Sequence, residues 1–276
     1  MTPSEENLRI RAGNRELDCY LALPTPAAGR HPAIVVVHEI FGVDGHVREV
    51  ARRFSALGYV AAAPNLFTGP IQQVMTPANI ALAMQSFAQA PPDLRRDPSK
   101  LAAFAASQPP ERRPVLEAFG RVSSPAAQTD FAQDLLAVTT ALRERADVDP
   151  DRIGSVGFCF GGAMTARLAT VDPKLRAAVI FYGQNPPLAD VPHIRASVLG
   201  LYGEKDVGIS STVPDLARAM DAAGVRFESH IYPGAGHAFF NDTRPTTYHE
   251  PSARDAWPRM GAFLASTLGG ARPAPP

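Results

Sequence analysis

The residues RIGSVGFCFGG at positions 152–162 set Cys159 between Gly157 and Gly161, a G-x-S-x-G pattern with a thiol in place of the hydroxyl. This pattern marks a nucleophile on a sharp strand-to-helix turn, where a strained backbone leaves no room for side chains two residues to either side. Glycine meets that need at both positions. A turn of this kind also places the cysteine at a helix N-terminus, where the positive end of the dipole favours thiolate over thiol. Ser155 lies upstream on the strand itself and is no rival nucleophile.

A thiol nucleophile needs a base, and the base needs an acid that fixes its tautomer and stabilises its cation. Two strand-then-loop segments downstream supply them in the order expected of a nucleophile on such a turn. SVLGLYGEKD carries Asp206, with Glu204 as the other carboxylate that could serve, and HIYPGAGHAF carries His237. The remaining histidines (His31, His38, His46, His193, His230 and His249) lack that placement and read as structural or solvated. Cys19 reads as a small buried residue, since free cysteine packs like a hydrophobe. A zinc-type H-E-x-x-H motif fails at HEIFG, where Gly42 stands in the place of the second histidine, and neither phosphate-binding glycine loop is present.

The elements that must carry these residues alternate. Strands are expected at 17–23, 33–38, 59–64, 152–157, 177–182, 197–202 and 225–232, the second a continuous β-branched run suited to a sheet buried on both faces. Helices are expected at 47–57, 125–145, 160–170, 212–223 and 251–267, with Gly58 ending the first. This alternation predicts a mostly parallel central sheet with helices on both faces. Residues 68–124 break the rhythm with repeated prolines and short helical pieces, and are expected to form an inserted helical cap. A single domain over 1–268 with a disordered tail at 269–276 completes the organisation.

Composition narrows the function classes. The 276 residues hold 27 basic and 27 acidic side chains, so no net field draws in nucleic acid or an anionic membrane. Apolar residues at 45% and charged residues at 20% fit a soluble globular chain with a packed core. Neither a signal-like start nor a run of ~20 apolar residues is present, and two cysteines make no disulfide framework; a cytoplasmic location is expected. No metal or organic cofactor is called for, and the expected partner is a small molecule, with the protein a monomer or small homo-oligomer.

Taken in order, VVVHEIFG, GFCFGG, LYGEKD and YPGAGHAFFND resemble the dienelactone hydrolase (carboxymethylenebutenolidase) family of α/β-hydrolases, over most of the chain outside 68–124. The resemblance implies the α/β-hydrolase fold and hydrolysis of a small ester or lactone by Cys159, Asp206 and His237 through a thioester. It also implies that Glu39, the glutamate of the HEIFG motif, interacts with Cys159 or His237 and gates thiolate formation. In this fold the oxyanion hole takes the backbone N–H after the nucleophile and one from the loop after an early strand, here those of Phe160 and Ile40. Family members that act on dienelactone hold its carboxylate with two arginines. APNLFTGPIQQ lacks the first, and Arg244 is the nearest candidate for the second, the alternative being a surface arginine paired with Asp242. A carboxylesterase or thioesterase acting on a larger acyl substrate under the cap, or a non-catalytic scaffold, are the competing expectations.

Overall fold

The computed structural model describes residues 4–25, 29–88, 90 and 98–270. Eight strands form one sheet in the order β1-β2-β4-β3-β5-β6-β7-β8. They are β1 (Ser4–Ala12), β2 (Arg15–Leu23), β3 (His31–Val37), β4 (Val60–Pro64), β5 (Val148–Phe158), β6 (Ala177–Phe181), β7 (Ser197–Gly203) and β8 (Phe227–Tyr232). From β4 through β8 every pairing is parallel, while β1 and β2 join antiparallel to one another and β2 to β4. This is the α/β-hydrolase fold, with the mostly parallel sheet expected from the alternation.

β3 shows why the run AIVVV forms a central strand. Val35 and Val37 join one apolar core, Ile34 and Val36 the other, and all four are fully buried. Period-two alternation thus feeds two layers at once, so a continuous apolar run is required. One layer is closed by α1 (Gly45–Ala56) and α10 (Glu250–Leu268), through Val47, Val50 and Phe54 of α1 and Met260, Phe263 and Leu264 of α10. The other is closed by α6 (Pro125–Arg143), α7 (Phe160–Val171) and α9 (Val213–Ala222). Caps fix the starts of two of these helices: Asp44 accepts the Val47 N–H at 3.1 Å, and Ser124 accepts that of Ala127 at 3.3 Å. Cys19, 1% exposed inside the second layer, has its thiol pKa pushed up to about 12 by burial.

Between β4 and α6 run four helices, α2 (Pro70–Val74), α3 (Pro77–Ala88), α4 (Pro98–Ser107) and α5 (Arg113–Val122). Four of their apolar side chains, Ile80, Leu101, Val115 and Leu116, extend the core on the α6 and α7 side. A short helix α8 (Val207–Ser210) follows β7. Strand β1 was not expected. Its sequence SEENLRIRA is mostly polar because it is an edge strand, paired with β2 on one side only, and its ladder is backbone hydrogen bonding. Of the tail expected over 269–276, Gly269 accepts from the Tyr59 hydroxyl at 2.9 Å, and residues 271–276 lie outside the described residues. Among the described residues no helix is long and apolar enough to cross a membrane.

Candidate active site

In a parallel sheet the carboxyl ends of the strands share one edge, and ligands bind in the crevice outside it. Cys159 follows β5, Tyr182 follows β6, Asp206 follows β7, His237 follows β8 and Glu39 follows β3. Chemistry scattered over 200 residues of sequence is thereby gathered by topology alone. Among the described residues the non-glycine positions with positive φ are Cys159 (55°), Tyr182 (38°) and Ala238 (61°), all at this edge. Backbone strain of this kind is found where surrounding structure over-determines it, as at functional sites.

The strain at Cys159 has a visible frame. Its N–H donates to the Phe181 carbonyl at 3.0 Å, and Tyr182 in turn donates to Leu201 at 2.8 Å. A Cβ on Gly157 would overlap the Gly161 carbonyl, and one on Gly161 would overlap the Val37 carbonyl. Each glycine is therefore required by a backbone that passes within contact of it. The loops of acid and base are tied together in the same way. Glu204 N–H donates to Tyr232 at 3.0 Å, and Lys205 N–H to Ala235 at 2.8 Å.

His237 Nε2 lies 3.0 Å from Cys159 Sγ, and its Nδ1–H donates to Asp206 Oδ2 at 2.6 Å. The Glu204 carboxylate instead accepts the Gly234 N–H at 2.9 Å, so Asp206 is the carboxylate that meets the histidine. The His237 ring is 41% exposed at its side chain. Desolvation works to lower its pKa, but the Cys159 charge and the Asp206 hydrogen bond outweigh it and hold the imidazole well above its ordinary value. The ring is thus set to hold a proton taken from the thiol.

Glu39 is 2% exposed and accepts from Asn241 Nδ2 at 2.6 Å, and its other oxygen, Oε1, is buried. Burial pushes its carboxyl up, against the Asn241 hydrogen bond and the positive charges of His46, His237 and Arg244. It is therefore an electrostatic neighbour of His237 but has no hydrogen bond to it or to Cys159. The Tyr182 hydroxyl, also fully buried, is raised well above its ordinary value by burial first and then by the charge of the neighbouring Glu39. Asn241 lies within the YPGAGHAFFND segment without being a candidate site residue there, and Tyr182 belongs to no motif.

Arg244 lies with its guanidinium 3.3 Å from the centroid of the Phe41 ring and lines the cavity. Asp242, its alternative partner, accepts from His46 Nδ1 at 3.3 Å instead. Ile40 and Phe160 both line the cavity beside Cys159. Phe160 is the first residue of α7, where N–H groups have no partner within the helix. The cavity measures about 940 Å³. Its other wall comes from α3 and α5, two of the helices after β4, through Met84, Phe87, Phe119 and Val122. A groove of about 650 Å³ between β1 and α6 is lined by neither cysteine nor histidine. No cluster of three or more metal-ligating side chains occurs among the described residues.

The model of the dienelactone hydrolase family matches residues 17–268. The chain belongs to this family. A relative from Saccharolobus solfataricus, provisionally named a carboxymethylenebutenolidase, is 34% identical over 84% of this chain and 88% of its own length. The crystal structure of a provisionally named dienelactone hydrolase from Klebsiella pneumoniae superposes with a TM-score of 0.70 at 31% identity, covering 96% of this chain and 99% of that one. A dienelactone hydrolase-like promiscuous phosphotriesterase from metagenomic libraries shares the fold at a TM-score of 0.75 and 20% identity, over 98% of this chain and all of that one. This member of the dienelactone hydrolase family is accordingly a hydrolase.

Proposed function

We propose that the chain hydrolyses a carboxylic ester or lactone through a thioester on Cys159. The observation that carries this is the continuous relay from Sγ through the His237 ring to Asp206, at 3.0 and 2.6 Å. His237 Nε2 takes the thiol proton and Sγ attacks the carbonyl carbon, while Asp206 stabilises the imidazolium. The oxyanion that forms meets the N–H groups of Phe160 and Ile40, and each such donor typically contributes about 3 to 4 kcal/mol. Collapse breaks the C–O bond, and His237 gives its proton to the departing alkoxide, which stays tethered if the substrate is a lactone. Water, deprotonated by the same ring, then cleaves the thioester and restores the thiol.

The far wall favours a second, finer reading. Met84, Phe87, Phe119 and Val122 present no charge, whereas the sheet edge opposite holds Glu39, Asp206, His237 and Arg244. A cavity of about 940 Å³ with one apolar wall is far larger than a small lactone needs. Residues 68–124 thus act as a cap that accepts an apolar acyl or alcohol group, with Arg244 left to meet a carboxylate on the reacting end.

Dienelactone and a p-nitrophenyl ester series, given to the wild type and to Cys159→Ala, test both readings. Turnover should vanish in the variant, and rapid-quench mass spectrometry of the wild type should find the acyl mass on the peptide containing Cys159. Turnover that persists in Cys159→Ala would overturn the proposal. Preference for acetate over every longer or aromatic acyl group would remove the apolar-cap reading and leave the small lactone.

A further inference from the structure

We propose that His38 is a positioning residue for the oxyanion hole, holding the Glu39–Ile40 peptide so that the Ile40 N–H faces the nucleophile. The inference rests on the hydrolytic reading above. His38 is fully buried, and each ring nitrogen has one partner. Leu66 N–H donates to Nε2 at 3.1 Å, and a backbone N–H can only donate, so Nε2 carries the lone pair. The ring proton therefore sits on Nδ1, from which it is donated to the Glu39 carbonyl at 2.5 Å. Burial also brings the His38 pKa down to about 4, so this neutral tautomer is kept across the neutral range.

A trans peptide is planar, and its N–H points opposite to its C=O. Two donors fix the Glu39 carbonyl, His38 Nδ1 at 2.5 Å and the Gly42 N–H at 3.3 Å. The Ile40 N–H, on the other side of the same plane, is thereby turned away from His38. It donates to no group among the described residues, and Ile40 lines the cavity with Cys159. An unused donor at the mouth of a nucleophile's pocket is the arrangement an oxyanion requires.

The ring also makes aromatic contacts. It stacks on Phe160, centroids 5.9 Å apart and planes 26° apart, and Phe160 supplies the other proposed donor. Leu66, whose N–H it accepts, begins the connection that leaves β4 for the inserted helices. One buried ring thus touches the residues of both oxyanion donors and the root of the insertion.

The test compares His38→Phe, which keeps a stacked ring but removes both hydrogen bonds, with His38→Asn and His38→Gln. The asparagine amide falls near the Nδ1 position and can donate to the Glu39 carbonyl, while the glutamine amide falls near Nε2. Removing an oxyanion donor outright costs about 10²- to 10³-fold in kcat, so misaligning one by His38→Phe should cost about 10- to 100-fold, with KM changed less than about 3-fold. His38→Asn should recover most of the loss and His38→Gln should not. Alkylation of Cys159 by iodoacetamide forms no oxyanion, so its rate should be unchanged in all three.

A kcat within about 3-fold of wild type in a folded His38→Phe would overturn the inference, on the scale expected for a lost donor. A parallel loss of alkylation rate would overturn it too, because the ring would then be supporting the thiol itself. If His38→Phe does not fold, the asparagine and glutamine variants decide, and equal activity in the two counts against the inference. Turnover that survives Cys159→Ala would refute the nucleophile on which the inference rests, a result distinct from any pattern among the His38 variants.

Discussion

The two walls of the cavity are held by different forces. The sheet edge is fixed by hydrogen bonds between backbones from five strands and by a side-chain relay from Sγ to Asp206, each atom with a partner at 2.6 to 3.3 Å. The opposite wall, from α3 and α5, faces the site with Met84, Phe87, Phe119 and Val122 and is organised by packing, as in the perpendicular contact of Phe87 and Phe119 with centroids 5.3 Å apart. Directional bonds can place a proton donor to within a fraction of an ångström, and apolar packing cannot. Apolar packing tolerates exchange of side chains far better than a hydrogen-bonded relay does. On the proposed function, the sheet edge sets the reaction type and the inserted helices set the substrate shape.

The sharpest way to break that comparison is to cut the relay. Asp206→Asn should lower kcat by about 10³- to 10⁴-fold on every ester, because an amide in place of the carboxylate favours the wrong His237 tautomer. KM should change little, and steady-state kinetics on acetate and on a long-chain or aromatic ester should show equal losses. Unequal losses would mean that the sheet edge also selects substrates.

Truncation in the apolar wall should do the opposite. Phe119→Ala should reduce kcat/KM for an aromatic or long acyl ester by about 10- to 200-fold, the range a hydrophobic pocket contact can supply, and that for acetate by less than about 3-fold. Competition between the two esters in one reaction measures the ratio directly. Equal effects on both would assign the helices a merely structural part.

The smallest effect concerns Glu39, a buried carboxylate at the sheet edge. The Glu39 pKa is raised by burial, so the folded state binds that proton more tightly than the unfolded state does. This stabilisation is complete below the ordinary carboxylate pKa of about 4.3 and is lost as pH rises through the folded value. At neutral pH, where the unfolded chain holds this carboxylate ionised, its burial therefore weakens the fold, and Glu39→Gln should melt higher than the wild type. The difference should shrink as pH falls towards 4, as followed by thermal denaturation. A difference that widens on acidification would show that the carboxylate is better solvated than its burial implies.

How much of this was legible beforehand depended on whether a force acts along the chain or across it. β3 could be read because a strand buried on both faces must be apolar at every position, and Gly157 and Gly161 because a tight turn excludes side chains locally. Asp206 and His237 could be read from their order after strands. β1 could not, since an edge strand needs no apolar pattern and SEENLRIRA shows none. Nor could the grip of Asn241 on Glu39 or of His38 on Leu66, which join loops from different strands and leave no trace in spacing. The reading of His38 as structural or solvated agrees with its burial but named neither of its backbone partners, and the alternative pairing of Arg244 with Asp242 did not anticipate His46 against that carboxylate.

The depth of Cys19 has a bearing on the fate of the protein under oxidising conditions. The chain has two cysteines, and one is sealed in the core with its thiol held protonated. Peroxide acting on Cys159 would make a sulfenic acid with no resolving thiol in reach, so no internal disulfide could stop further oxidation to the irreversible sulfinic state. Protection would have to come from a thiol outside the molecule. Activity lost to brief peroxide treatment should return with added dithiothreitol and not on standing.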